Sequence, residues 1–411
     1  MNLRKDLIQI IIRKKKESKY TKFDLFHRMV KKLSNVTFII LFFYGFVSGI
    51  TIEKPERIYF SSEMPKERFP IIPRALAVTE DGWYIIPDQV NPPPYSQENP
   101  PEKAGNIKIY KKIKNSLEFF AAIEAKGIGN SNLGIPTYCF YNKKEGKLTV
   151  FDSFFKKILV FYKNKNKGFK LLKIVPCPKN GTDIIIAGTE QDGYNLIIAG
   201  YSENMKKEPF DLYQIDVKSL NINYLLPSYE KYGLEKANYI SEYFFKPNIR
   251  AIGISAYFDT WSDRIFYTWE GGHVILLNQE GTILKSFDMP QTKNYIKPIA
   301  TPSLILNQKN NPLLARKERF ENMSFIKGVF ASEKYFYIIY EGPAPQNVIS
   351  AAWVQTYDHS GNFKGEVKLV DLPKGGNKMF WFDKDTKIFY SLSADNRTAG
   401  HFVILEYHIK E

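Results

Sequence analysis

The stretch Gly127–Val175 constrains this chain most, because it reads as one complete four-stranded antiparallel unit without an insertion. After Gly127, Gly129, Gly134 and Pro136 come four apolar runs of strand length: Thr137–Tyr141, Leu148–Phe151, Lys157–Tyr162 and Phe169–Val175. Each is rich in Val, Ile, Phe or Tyr, which suit a pleated surface. The breaks between them are Lys143–Gly146, Asp152-Ser153 and Asn164–Gly168. These are turn residues: Gly supplies positive φ, and Asn and Asp hydrogen-bond their own backbone. No 3.6-residue apolar period persists, so the unit is an all-β meander. A lone meander of this size leaves apolar faces bare and requires neighbours like itself.

Looser copies fill the rest of the chain. Unit one is Arg74–Val78, Trp83–Ile86, Ile107–Lys111 and Leu117–Ile123. Unit three is Asp183–Gly188, Tyr194–Gly200, Leu212–Val217 and Ile222–Leu226, and unit four is Ile252–Tyr257, Arg264–Trp269, His273–Asn278 and Ile283–Phe287. Unit five is Phe325–Phe330, Tyr335–Tyr340, Ala352–Tyr357 and Phe363–Val370. The last unit, Lys378–Phe382, Lys387–Leu392 and His401–His408, is one strand short, and an orphan strand at Arg57–Glu63 can fill that place. Pairing the two removes an open sheet edge. The expected fold is therefore all-β: a six-bladed β-propeller over residues 55–411, with four-stranded antiparallel blades and a ring closed by an N-terminal strand completing the last blade.

The series GIG…GIP, KLTVFD and KKILVFY over Gly127–Tyr162 resembles the NHL-type repeat of bacterial six-bladed β-propellers. The resemblance implies the fold rather than an activity. Similar propellers include lactonases and lyases with a metal at the central channel, held by acidic, Asn or His ligands on the innermost strands. Here those strands read RALAV, TYCFY, DIIIAG, IGISAY, FIKGVF and KMFWF; Asp183 is the polar exception and Asn180 its polar neighbour.

Of the net charge of +15, eight units sit in residues 1–35, which hold 11 Lys/Arg against 3 Asp/Glu. The remainder shows no dense basic run, so no nucleic-acid groove is expected. Basic residues precede the uncharged run Val36–Val47, and small residues Val47-Ser48-Gly49 follow it. This is the order of a secretory signal, and the run is short for a membrane span. Residues 1–50 are read as a basic segment plus a signal peptide or an uncleaved signal anchor, with Met29 as the start that gives a signal of ordinary length. Either reading exports the rest, to the periplasm or beyond, with membrane contact only through this segment if it stays uncleaved. Two cysteines, Cys139 and Cys177, exclude a disulfide scaffold.

With the strands of a unit lettered a to d from the centre outward, the a–b and c–d turns are short. The long segments Gln89–Gly105, Pro227–Arg250, Asp288–Met323 and Gly342–Ser350 are all b–c turns or d–a crossings, which share one end of the scaffold. Loops gathered at one end of a rigid scaffold are where binding residues concentrate, although long loops also cost little as padding. Asp288–Met323 is expected to carry a short helix at Leu313–Phe320.

Candidate binding residues on that face are Tyr95, Tyr229, Tyr232, Tyr239, Tyr243, Tyr295, Arg316 and Arg319. Tyrosine rings give contact area at low entropy cost, which suits a protein, peptide or glycan partner. Aligned strand-b ends carry Asp88, Asp152, Glu270 and Glu341. These carboxylates either offer oxygen ligands to a divalent cation such as Ca2+ or cap turns by accepting backbone N–H bonds. No resident cofactor is otherwise expected. Asp259 and Asp263 around Trp261, and Asp383 and Asp385, read as solvated turns. His27, His273, His359, His401 and His408 show no zinc spacing, and no nucleophile elbow or phosphate loop occurs. No catalytic residue is assigned. The expectation is an extracytoplasmic non-enzymatic binding or scaffold module acting through the long-loop face, with a metal-dependent hydrolase or lyase at the channel as the alternative.

Overall fold

The computed structural model describes residues 50–89, 105–124, 133–152, 155, 157–164, 168–176, 184–190, 195–201, 210–216, 219, 221–227, 256–269, 272–298, 303, 306–307, 310–344, 350–372, 379–394 and 402–410. The expectations for the basic segment, Val36–Val47 and Met29 lie outside them, as does Cys177; Cys139 is buried and free. Among the described residues, no helix is long and apolar enough to cross a membrane.

In chain order the strands are β1 (Thr51–Ile52), β2 (Glu56–Phe60), β3 (Ala77–Val78), β4 (Trp83–Gln89), β5 (Gly105–Ile113) and β6 (Ser116–Glu124). The best-formed unit follows as β7 (Pro136–Asn142), β8 (Lys147–Asp152), β9 (Lys157–Asn164) and β10 (Gly168–Pro176). Next come β11 (Ile184–Glu190), β12 (Asn195–Tyr201), β13 (Phe210–Asp216) and β14 (Ile222–Pro227), then β15 (Ala256–Trp261), β16 (Arg264–Trp269), β17 (His273–Asn278) and β18 (Ile283–Asp288). Helix α1 (Pro312–Asn322) precedes β19 (Phe325–Ala331), β20 (Tyr335–Glu341), β21 (Ser350–Asp358) and β22 (Phe363–Leu372). The last strands are β23 (Met379–Asp383), β24 (Ile388–Ala394) and β25 (Phe402–Lys410).

Strands β7–β10, β11–β14, β15–β18 and β19–β22 form four separate four-stranded antiparallel sheets, each in meander order. The remaining strands form one nine-stranded sheet, because β2 pairs on both sides. It runs antiparallel to β25, with Ile58 opposite Ile404, and parallel to β6, with Phe60 opposite Leu117. The chain reaches β25 earlier than expected: β1 pairs its far end, Thr51 with Lys410. The N-terminal strand thus occupies the vacant edge beside β25, and it also stitches the first and last sheets together.

Burial follows distance from the centre. Strand β4 is buried along its whole length, as a strand covered on both faces must be. Outermost β18 alternates half-buried and exposed residues, the period of a strand with one wet face. The first strands touch in a closed cycle: β3 meets β7, β7 meets β11, β11 meets β15, β15 meets β19, β19 meets β23, and β23 returns to β3. Apolar clusters fill the seams between successive sheets, such as Phe266, Leu276, Phe336 and Tyr340 between β15–β18 and β19–β22. This is the radial layering of a β-propeller.

Two local differences from the sequence expectation have physical causes. Strand β15 begins at Ala256 rather than Ile252 and runs through Asp259 to Trp261. Its turn is only Ser262-Asp263, with Ser262 at φ 55°, so a turn without glycine hid the strand. Asp259, expected as a solvated turn residue, is therefore buried in a strand. Helix α1 extends the expected Leu313–Phe320 by a residue or two at each end, because Pro312 is tolerated in the first turn and the Asn311 side chain accepts from Leu314 N at 3.2 Å.

Candidate functional site

Two ends of the propeller carry different chemistry. At the end of the b–c turns and d–a crossings, two of the strand-b carboxylates, Asp88 and Asp152, accept from nearby backbone N–H groups. Asp88 accepts from Ile71 N at 2.9 Å and Ile72 N at 2.7 Å. Asp152 accepts from Gly134 N at 2.6 Å and Ile135 N at 3.1 Å. In both cases the two donors directly precede the proline at the start of the innermost strand, Pro73 in one unit and Pro136 in the other. A carboxylate at the end of strand b therefore latches the chain leading into strand a. Asp88 also pairs with buried Lys108 at 3.0 Å, and Lys108 reaches the Phe69 carbonyl oxygen. Burial pushes the Asp88 carboxyl up, against the opposing pull of Lys108. Glu341 is buried 3.7 Å from Lys327, and Glu270 lies outside the described residues. Among the described residues, no three His, Cys, Asp or Glu side chains converge in a way that could hold a metal ion.

Of the candidate binding residues, Tyr95, Tyr229, Tyr232, Tyr239 and Tyr243 lie outside the described residues, as does the side chain of Arg316. Tyr295 and Arg319 are buried. Tyr295 packs edge-on against Tyr340 with ring centroids 5.1 Å apart, and the Arg319 guanidinium lies 5.1 Å from the Phe325 ring centre. Both hold the long crossing after β18 onto the next sheet. Glu366 completes that anchor: its carboxylate accepts from Thr292 Oγ1 (2.9 Å), Asn294 Nδ2 (2.6 Å), the Tyr340 hydroxyl (2.6 Å) and Gln355 Nε2 (3.0 Å).

At the opposite end, the short-turn side, the channel opens into a cavity of about 340 Å3. Its walls come from the ends of four innermost strands: Tyr138 and Phe140 of β7, Phe258 of β15, Phe330 of β19, and Trp381 and Phe382 of β23. Along β7, Cys139 and Tyr141 pack into the seam with the first sheet and Phe140 into the cluster on the other side, while Tyr138 touches both clusters and Tyr141 also reaches the cavity. The rim carries Asn142, Lys143 and Lys144 from the β7–β8 turn, Asp383, Lys384 and Asp385 from the β23–β24 turn, and Asp259.

The rim charges are mostly spent on one another. Lys143 crosses to Asp383, and Lys384 donates to Asp259 at 2.6 Å and to the Thr260 carbonyl at 2.8 Å. Asp259 also accepts from Ala331 N at 2.8 Å, tying β15 to β19. Burial raises the Asp383 carboxyl, but hydrogen bonds from Lys143 and Thr386 outweigh it and hold the group below its ordinary range. Asp383, expected to be solvated, is buried, and Asp385 is exposed as expected. Lys144 is exposed and makes no ion pair among the described residues. In the wall, the buried indole N–H of Trp381 has no hydrogen-bond partner among the described residues. Half-buried Tyr138 adds a phenol hydroxyl. Desolvation pushes that phenol well above its ordinary value, with Cys139 and Asp259 adding to it, so it stays a neutral hydroxyl. Sequence reasoning passes over this end because its turns are short; the run of rings in TYCFY and KMFWF is the available signal.

No family model matches the sequence, and no curated protein matches it. Among solved structures, the fold is similar to a member of the duf4221 family from Bacteroides vulgatus, with TM-score 0.55 and 9% identity over 88% of this chain and 98% of that one. It is also similar to a Bacteroides fragilis protein described provisionally as exported, with TM-score 0.54 and 12% identity over 88% of this chain and 96% of that one. A weaker likeness, to a periplasmic gluconolactonase of Pseudomonas aeruginosa (TM-score 0.40, 11% identity, 79% of this chain and 81% of that one), carries no argument. At these identities the likenesses speak for the fold alone. They do not single out the NHL type.

Proposed function

We propose that this protein is an extracytoplasmic binding module, a six-bladed β-propeller that receives a small ligand in the mouth of its central channel. Six blades are supported by the closed cycle of first strands and by the division of the nine-stranded sheet at β2 into two blades of four. Export is supported by the basic segment and the uncharged run Val36–Val47, and by the exported description of the Bacteroides fragilis neighbour. The observation that carries the binding reading is the cavity itself: about 340 Å3, walled by aromatic side chains, with polar groups at its rim. Cavities of this size, mostly apolar with a few fixed polar groups, are the usual form of small-molecule sites. The test is a thermal-shift screen of a small-molecule library against the wild type and Val329→Trp, which fills the cavity from β19. A ligand that stabilises the wild type and not the folded variant supports the reading; a library with no such member overturns it.

A second reading places capture of a protein, peptide or glycan on the long-loop face. The Glu366 anchor favours it, since a crossing pinned to β22 through two of its side chains, Thr292 and Asn294, is rigid enough to present a surface. If residues 299–311 are replaced by a short Gly/Ser linker and partner capture is unchanged, this reading fails. The alternative of a metal-dependent hydrolase or lyase at the channel is separated from both by elemental analysis: a stoichiometric divalent metal in purified protein favours the enzyme.

A further inference from the structure

We propose that the crossing between β18 and β19 is a membrane-surface contact, which lays the N-terminal end of α1 onto an anionic bilayer. Three observations carry this.

The first is where apolar surface stands in water. Leu306, Leu313 and Leu314 are 59%, 78% and 44% exposed. They share one place: Asn311 N donates to the Asn307 carbonyl oxygen at 2.6 Å, which sets Leu306 beside the first turn of α1, where Leu313 and Leu314 follow. The other exposed large apolar side chains among the described residues are Ile71 and Ile296, in d–a crossings at the same end, and single residues on β5, β10, β18 and β22. Single ones are ordinary; a group at one tip is not. The second is support. Ala315 and Arg319 of α1 are buried, the Arg319 guanidinium lies over the Phe325 ring, and Ser324 N donates to the Ile296 carbonyl oxygen at 2.9 Å. Glu318 accepts from Ser303 Oγ at 2.9 Å and Asn307 Nδ2 at 3.1 Å, which braces the segment leading into the helix. The leucines are thus held out on a fixed mount. The third is charge. Residues 289–324 hold six Lys/Arg against two Glu, and this net of +4 is more than half of the +7 carried after residue 35. The Lys317 side chain, one turn beyond Leu313, is 67% exposed, and its pair with Glu321 is long at 3.9 Å and worth little in water. Leucines beside cations on a surface helix suit a bilayer interface, with the apolar groups at the acyl boundary and the cations at anionic headgroups. At 11 residues, or about 16 Å, α1 is too short to cross and lies on the surface instead. A second copy is a poorer occupant. A self-paired face would set like charges against each other, and three leucines fall far short of the roughly 800 Å2 per partner of a stable interface.

The test is site-specific fluorescence on the purified, exported chain, in which Cys139 is buried and Cys177 is replaced by Ser. An environment-sensitive label is attached at Leu313→Cys, and at Phe363→Cys on outermost β22 as the control. The probes are vesicles of mixed phosphatidylcholine and phosphatidylglycerol and vesicles of phosphatidylcholine alone. On the mixed vesicles the label at 313 should shift to the blue and be quenched by spin-labelled acyl chains, while the label at 363 should not respond. Binding to phosphatidylcholine alone should be about tenfold weaker or worse, and Lys317→Glu should weaken binding to the mixed vesicles by about tenfold, because it turns an attraction into a repulsion. Leu306→Ser with Leu314→Ser should abolish the blue shift at 313. All these positions are exposed, so the unfolding midpoint should stay within error of the wild type. No blue shift at 313 on the mixed vesicles overturns the proposal. An equal response at 313 and 363 also overturns it, because the contact is then not made by α1. A blue shift that needs no vesicle and grows with protein concentration overturns it as well, and assigns the face to a second copy.

Discussion

At the scale of single residues, the carboxylates sort by what they bond. Asp88 satisfies the backbone N–H groups of Ile71 and Ile72 and the charge of Lys108, all out of water. Asp88→Ala strands a buried ammonium, so a loss of about 3–5 kcal/mol is expected in urea unfolding. The double variant Asp88→Asn with Lys108→Met should recover much of that, because it removes the unpaired charge along with its partner. Asp152→Asn loses acceptor strength toward Gly134 N and Ile135 N, and a smaller cost of about 1–2 kcal/mol is expected. Asp358 makes a different prediction. Burial raises its carboxyl, but the Asn362 backbone and side-chain donors and Lys364 outweigh it and hold it at about 2, below its ordinary 3.8. A depressed carboxylate contributes stability that is complete above the unfolded value and lost as pH falls through the folded one. The acid limb between about pH 4 and pH 2 should therefore flatten in Asp358→Asn. The difference should be about 1 kcal/mol once screening by solvent is allowed for.

The elements show why the propeller tolerates long crossings on one side. The stretch 289–298 forms no helix or strand, yet Glu366 of β22 takes four donors from its surroundings, two of them from Thr292 and Asn294 in that stretch. Glu366→Gln should raise hydrogen-exchange rates across 289–298 well above wild type and leave β15–β18 protected. Uniform exchange in both proteins would show that the anchor is dispensable. A tight approach marks the seam between the third and fourth sheets. Gly281 sits at φ +84°, and a Cβ there would come 2.4 Å from the Leu225 carbonyl oxygen. Gly281→Ala is expected to cost about 1–3 kcal/mol, from strain and from pushing two sheets apart. A change within error in the unfolding midpoint would contradict this.

For the whole molecule, closure depends on β2. Ile58 is fully buried opposite Ile404, while Tyr59 and Phe60 extend the contact to β6. Ile58→Ala should cost about 2–5 kcal/mol as a core truncation. Ile58→Pro should do worse, because it also removes a ladder donor on a strand paired at both edges. Opening the ring exposes β25 as a free edge, so aggregation on heating should increase, which light scattering can follow. Unchanged heat-induced scattering in Ile58→Pro would mean that the ring stays shut without β2.

The features legible in the chain alone are local and periodic. Strand length, the two-residue alternation, and turns marked by Gly, Asn and Asp place most strands of β1–β25 within a few residues, because each depends on neighbours in the chain. The missing fourth strand of the last unit is also readable, since counting strands needs no coordinates. Reading fails where the local signal is absent. The turn at Ser262-Asp263 has no glycine, so spacing sets β15 too early and makes Asp259 look solvated. The channel mouth belongs to the tertiary structure. Asp259, Lys143 and Trp381 come from three different sheets, and their charges and rings acquire meaning only when the closed cycle of first strands gathers them around one cavity. Spacing along the chain cannot encode that convergence; the packing of one sheet on the next does.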